Sequence, residues 1–399
     1  MRIVQKSRPI LSLALIAMTS GHSIRVVDGV YLSHVLLICF FIYCGFKAFA
    51  SASNRNHSKW FLALIYLQTM LLLVSLYMGN EINNLKQIVQ LFLLFVGFFV
   101  GYSLCRVKAG NLELVLESVL FAFLLNAAIG LFQSASWIVE HGFVLISGAE
   151  WFRVKGMNVS PSDYVSHLFM GFFLLVALPK IKFRKYYILV FLLLLTISMS
   201  RSAIVILFFI SALFFWRLSV VMKLVALSLV VIFGFSLLSL NVENLLLLER
   251  VKDIANYDFN IKRIIVYQDV VKKTFGSLSS TLFGSGYGSY MFLHPLEGQW
   301  YDNTHSVYLN YLYGGGLIGL VFFLILIISG FVIFSSIKHQ TYIPYSKNKY
   351  IQPIWLKYLF ISILIVGLVE TNLFGAGTGW LVGYLLGISY FIKANDRSY

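Results

Sequence analysis

The stretch "YYILVFLLLLTISMSRSAIVILFFISALFF", residues 186–215, carries a single charged side chain, Arg201, set between two serines. It reads as two short membrane-type helices, 186–200 and 203–216, with the arginine at the turn between them. Apolar runs of 15 or more residues recur along the 399-residue chain, which is 59% hydrophobic and only 12% charged, with a mean hydropathy of +0.84. Soluble domains average about 25% charged residues. The runs do not alternate apolar with polar side chains, as the strands of a membrane β-barrel do. The class is therefore all-α, a polytopic integral membrane protein.

Twelve spans follow from the runs, near 9–22, 30–46, 60–78, 87–105, 113–134, 163–179, 186–200, 203–216, 224–240, 306–336, 357–372 and 380–392. The first, behind a basic lead-in, reads as a retained segment and not as a cleaved leader, because the chain continues into another span. With the N-terminus inside, 20 of the 31 lysines and arginines fall on the cytoplasmic side, four of them in the short connection "KIKFRKYY". Both termini are then cytoplasmic. Three parts result: an N-terminal bundle of about nine spans over 1–240, one long outer loop over 241–305, and about three C-terminal spans over 306–399.

The net charge of +15 belongs to this orientation bias, so nucleic acid is not expected as a partner. The inner connections are too short for a nucleotide-binding domain, and neither a P-loop nor a D-x-D pair is present. Cys39, Cys44 and Cys105 lack metal-ligand spacing. No metal or cofactor is expected.

Polar chemistry gathers on the outer side. Arginine at membrane depth faces a bundle interior or an aqueous cavity; the plainer reading of Arg201 is a turn residue reaching the interface. "NIKRIIVYQDVVKKTF" predicts an amphipathic helix with Ile264, Tyr267, Val271 and Phe275 as its apolar stripe, resting on the bundle or the bilayer. Arg263 and Lys262 lie beside that stripe, where most such charges are simply solvated. "FGSGYGSY", 283–290, reads as a tight turn whose glycines take positive φ. His305, with Asp302 and Asn303 beside it, can accept a proton near neutral pH, although a lone histidine at a helix start is more often structural. Ser160 before Pro161 reads as a helix cap, which places Asn158 at that helix's outer mouth.

"TISMSRSAIVIL", "KRIIVYQDVV" leading to "LFGSGYGSY", and "NTHSVYLNYLYGGGLIGLV" occur in that order. Together they resemble the O-antigen ligase and polymerase superfamily of bacterial envelope glycan assembly, over about residues 155–325 by motif. Ser306 stands where the family usually has asparagine, and Ser162 and Asp163 also depart from its pattern. The resemblance implies inverting, metal-independent glycosyl transfer outside the inner membrane, from a glycan carried on undecaprenyl pyrophosphate. Arg201 and Arg263 would hold the pyrophosphate, and His305 would take the acceptor's proton. Asn158, Lys262, Asp302 and Tyr308 would support substrate binding. Donor and acceptor glycans, membrane lipid and a chain-length regulator are the partners expected. The polymerase branch is preferred, because the chain matches only the sparse common core; a ligase is the alternative and a lipid-linked glycan flippase the more distant one.

Overall fold

A computed structural model describes residues 8–20, 25–27, 30–50, 82–106, 111–141, 146–147, 150–151, 154–158, 160–198, 200–217, 219, 222–223, 257–287, 289–293, 295, 298, 300–301, 304–335, 343–346, 349–368 and 379–396. Among them the protein is mostly helical, as its composition dictates. The expected spans at 60–78 and 224–240 lie outside the described residues. Two helices are long and apolar enough to cross a membrane, with windows at Leu112–Glu140 and Val307–Val332, and several shorter apolar helices accompany them.

The helices are α1 (Arg8–Ser20), α2 (Leu32–Ala50), α3 (Ile82–Arg106), α4 (Asn111–His141), α5 (Pro161–Ala177), α6 (Arg184–Ile197), α7 (Arg201–Arg217), α8 (Tyr257–Thr274), α9 (Leu278–Phe283), α10 (Val307–Ser335), α11 (Pro353–Gly367) and α12 (Gly379–Asp396). Four small antiparallel hairpins join some of them: β1 (Arg25–Val27) with β2 (Val30–Tyr31), β3 (Ile146–Ser147) with β4 (Glu150–Trp151), β5 (Phe292–Leu293) with β6 (Trp300–Tyr301), and β7 (Ile343–Ser346) with β8 (Lys349–Ile351).

The helices α3 and α12, nearly 300 residues apart in sequence, pack backbone to backbone. A Cβ on Gly97 would collide with the Trp380 carbonyl and one on Gly101 with the Tyr384 carbonyl. From the other side, Gly383 meets the Leu94 carbonyl and Gly387 that of Phe98. Each helix thus offers two glycines four residues apart, the small-residue spacing that permits close helix approach. Both sets of contacts advance together along the two chains, so the pair is parallel.

The central group is α5, α6, α7 and α11. The turn Leu178–Phe183 reverses α5 into α6, with Phe183 in the left-handed region at φ 60°. The guanidinium of Arg184 donates to the carbonyls of Leu175 (3.2 Å) and Val176 (2.6 Å). The N–H of Gln352, which precedes α11, donates to Ala177 O at 2.8 Å. The last carbonyls of α5, which would otherwise be orphaned, are satisfied in this way. It also places the basic turn, the end of α5 and the start of α11 at one end of the bundle. The rings of Phe214 and Trp355 meet at 5.6 Å, so α7 ends there too. Consequently the starts of α5 and α7 and the end of α11 share the opposite end.

One expectation fails here. The run 306–336 reads as a single helix, but α10 is broken at Gly316, whose φ 62°, ψ −160° is not helical. Tyr311 stacks on Phe323 with centroids 4.3 Å apart, and Tyr308 meets Phe323 at 5.7 Å. In a straight helix positions 311 and 323 would be separated by about 18 Å, and 308 and 323 by about 22 Å. The first segment, 307–315, is therefore folded back along the second, 317–335. The second segment alone is about 28 Å long, close to the ~30 Å of a bilayer core. It runs antiparallel to α11: Gly330 abuts Phe360, and Lys357 lies over the Phe331 ring at 4.6 Å.

Candidate active site

Asn158 reaches its place because 155–158 is stapled to α4. Gln133 Oε1 accepts from the N–H groups of Lys155 (3.2 Å) and Gly156 (2.9 Å), and its Nε2 donates to Gly156 O at 2.9 Å. Asn126 Oδ1 accepts from Met157 N–H at 2.7 Å. The expected cap is present: Ser160 Oγ accepts from the Asp163 N–H at 3.1 Å and donates to the Asp163 carboxylate at 2.8 Å. Asn158 is buried, and its side-chain amide nitrogen has no hydrogen-bond partner among the described residues. An unsatisfied buried donor of this kind is costly.

Arg201 opens α7 at the same end of the bundle. The backbone there is fixed by Ser202, buried beside it, whose Oγ lies 2.6 Å from that of Ser200. The side chain of Arg201 is outside the described residues.

Arg263 sits half-buried on α8. Of the expected stripe only Tyr267 packs on the rest of the chain, and the face that does so most fully is an adjacent one. Ile264, Val271 and Phe275 are 47%, 42% and 52% exposed, whereas Val266, Val270 and Thr274 are buried. The helix has apolar side chains on two faces, and periodicity alone does not say which face meets a neighbour. The buried set packs with Tyr290 and Tyr313, with Leu309, Tyr267 and Phe292 at its edge. Arg263 lies three residues before Val266 and seven before Val270, on the face that meets segment 307–315. Lys262 adjoins it in α8; its side chain is outside the described residues. Lys273 is not merely solvated: its ammonium pairs with Asp269 (2.9 Å), donates to Met291 O (2.9 Å) and lies 5.3 Å from the Tyr290 ring centroid.

His305 leads into that same segment. It is half-buried and in the left-handed region at φ 55°, a conformation that costs an L-residue roughly 1–3 kcal/mol and concentrates at functional sites. Its neighbours hold it there. Thr304 Oγ1 donates to Ser306 O at 2.9 Å, and Ser306 Oγ donates to Gly367 O at 3.4 Å. The family's usual asparagine is thus replaced by a tether to α11. Because 307–315 folds back, its start lies beside Phe323 and Leu364, roughly 10 Å along the second segment from Gly316. His305 is accordingly recessed at the foot of a hairpin, and does not sit at the rim of a straight helix.

The Tyr308 hydroxyl is engaged with the Leu364 carbonyl, which ties the first segment of α10 to α11. Asp302 lies outside the described residues. The glycine turn has the expected positive φ at Gly284 (77°) and Gly286 (95°). Sequence reasoning did not find its partner. Ser285 N–H donates to Tyr313 O (2.7 Å) and Gly286 N–H to Gly314 O (3.1 Å), so the turn caps the glycine triplet itself. The triplet admits the chain's own loop.

Residues 186–324 match a family model described as O-antigen ligase. The match supports the O-antigen ligase/polymerase superfamily, in agreement with the motif resemblance. No curated protein matches the chain significantly. The match spans α6 to the middle of α10, the part that holds Arg201, Arg263 and His305. It supports an O-antigen ligase/polymerase-type enzyme acting on lipid-linked glycans and, with the long apolar helices, a membrane protein.

Proposed function

We propose that the protein polymerises undecaprenyl-pyrophosphate-linked oligosaccharide repeat units into O-antigen or a related surface polysaccharide. Transfer takes place at the loop end of a twelve-span bundle in the bacterial inner membrane, facing the periplasm, with both termini cytoplasmic. The parallel α3–α12 pair is what this topology requires of the fourth and twelfth spans. The reading is supported by three features that lie toward the end of the bundle opposite the basic turn: the start of α7 with Arg201, the Arg263 face of α8, and the strained His305.

In the reaction the acceptor sugar's hydroxyl oxygen attacks the anomeric carbon of the donor on the face opposite the pyrophosphate. His305 takes the hydroxyl proton as the new glycosidic bond forms. The sugar–phosphate bond breaks, and its electron pair leaves with undecaprenyl pyrophosphate. Arg201 and Arg263 hold the resulting charge through guanidinium–phosphate hydrogen bonds. Asn158 and Lys262 contribute donors for the glycan or the phosphates, and Asp302 and Tyr308 support substrate binding. A chain-length regulator acts on the growing product.

The ligase reading is the second, favoured by the description of the matching family model. The lipopolysaccharide profile of a deletion strain separates the two. Core bearing one repeat unit without a ladder, restored by wild type and not by His305→Ala, is the outcome for a polymerase. Bare core with long chains left on the lipid carrier is the outcome for a ligase. Full rescue by His305→Ala would remove the histidine from the mechanism.

A further inference from the structure

We propose that Tyr287 is a positioning residue that holds His305 and the Arg263 helix in one fixed arrangement by filling the notch of the α10 hairpin. Its catalytic meaning rests on the transferase reading above; its geometry does not. Tyr287 is buried and comes from the long loop, yet its ring lies between the two halves of α10. A Cβ on Gly314 would collide with its ring, and one on Gly315 with its hydroxyl, both in the first segment. A Cβ on Gly319, in the second, would lie 2.7 Å from that hydroxyl and 3.2 Å from the Tyr311 carbonyl oxygen. The ring also meets Tyr311 edge-on at 5.6 Å, and Tyr311 in turn stacks on Phe323. Three glycines from both halves thus leave a space that one side chain occupies.

The turn that delivers this ring is fastened to the hairpin by the Ser285 and Gly286 N–H groups. Three residues later Tyr290 packs edge-on against Tyr313 at 5.1 Å, within the cluster formed by Val266 and Val270 of α8. Tyr290, within the α8 cluster, meets Tyr313, and Tyr287 meets the adjacent Gly314, so α8 and the Tyr287 ring bear on the same segment that His305 begins. The contribution of Tyr287 is shape. Without the ring, the first segment is free to change its angle to the second, and His305 moves with it.

The test uses full-length protein purified in detergent, with Cys39, Cys44 and Cys105 replaced by alanine and a Thr304→Cys reporter next to His305. Thr304 is buried, so a bulky impermeant thiol reagent labels the parent slowly. Tyr287→Ala is expected to raise the labelling rate at least tenfold, while Tyr287→Phe, which keeps the ring, leaves it unchanged. Gly319→Ala forces its new methyl against the hydroxyl and is expected to raise labelling as well; Gly319→Ala with Tyr287→Phe, where the hydroxyl is gone, returns it toward the parent. In transfer assays with lipid-linked donor and acceptor and Thr304 intact, Tyr287→Ala is expected to lose more than tenfold in kcat with KM for the donor within threefold. Slow labelling of both Tyr287→Ala and Gly319→Ala overturns the proposal. If Tyr287→Ala does not purify as a monodisperse protein, the Gly319→Ala pair decides alone, and absence of rescue by Tyr287→Phe overturns it. Failure of the transferase reading appears separately, as wild-type protein that forms no glycosidic bond while the labelling pattern holds.

Discussion

The α3–α12 pair and the α10 hairpin are both built around glycines, and they use them in opposite ways. In α3 and α12 the glycines stay helical and remove side chains so that two straight helices touch along their length. In α10 the triplet Gly314–Gly316 also removes side chains, but Gly316 leaves the helical region altogether and the chain doubles back. The first arrangement needs only the missing Cβ, since a methyl on any of the four glycines would collide with a backbone carbonyl of the facing helix. The second needs a backbone state that L-residues avoid. The first holds distant parts of the chain together, whereas the second recesses a histidine within the bundle. Irregular backbone at membrane depth is tolerated where protein surrounds it, and here Leu282, Gly284 and Tyr287 do so.

The sharpest break in this comparison is Gly316→Ala. The new Cβ meets the Leu282 carbonyl at φ 62°, ψ −160°, so steric collision adds to the roughly 1–3 kcal/mol of a backbone region that is essentially reserved for glycine. Transfer is expected to fall more than a hundredfold and the melting temperature to drop. If the variant retains both, the hairpin is not the active conformation. Next is His305→Asn. Asparagine tolerates positive φ, so the fold should stand while the base is lost, and the rate should fall by about 10²–10⁴ at an unchanged melting temperature. A drop in stability equal to that of Gly316→Ala would instead mark His305 as a structural residue.

Gly383→Ala reverses the pattern. Its methyl would meet the Leu94 carbonyl and push α3 and α12 apart, an overpacking cost of about 1–3 kcal/mol. Thermal stability should fall, while kcat per folded molecule stays within about threefold of wild type, as expected for effects confined to packing. A kcat loss as large as that of His305→Asn would mean that the two glycine devices are one coupled unit.

The contrast also explains what could be seen in the sequence. Helices are visible wherever apolar runs are long, and so are the Ser160 cap and the positive φ of Gly284 and Gly286, because each depends on neighbours in the chain. The glycine pairs of α3 and α12 have a readable four-residue spacing, although their partner does not. The break at Gly316 was not legible: three glycines inside "YLYGGGLIGLV" are equally compatible with a continuous helix. What breaks it is the turn at 284–287, arriving from some 30 residues upstream. Which face of α8 packs on the protein is illegible for the same reason, since Tyr290 and Tyr313 select Val266 and Val270 over an equally apolar second face. His305 was found through its chemistry and its motif, but its strained backbone and its depth depend on contacts that no local pattern encodes.

Ser306→Ala is the finest probe of the difference, because it touches the hairpin without touching glycine. Ser306 Oγ donates to Gly367 O at 3.4 Å, near the long limit of a hydrogen bond. Losing one such bond costs about 0.5–1.5 kcal/mol, and Thr304 Oγ1 still donates to the Ser306 carbonyl. The expected result is a small fall in melting temperature and a two- to fivefold fall in kcat, with KM for the donor unchanged. The kcat term is the informative one. The tether sits one residue beyond His305 and ties the foot of the hairpin to α11, so it should act on the histidine's placement more than on stability. If Ser306→Ala instead lowers the melting temperature as much as Gly383→Ala while leaving kcat untouched, the foot of the hairpin is ordinary packing. The recessed histidine would then owe its position to the Gly316 end alone.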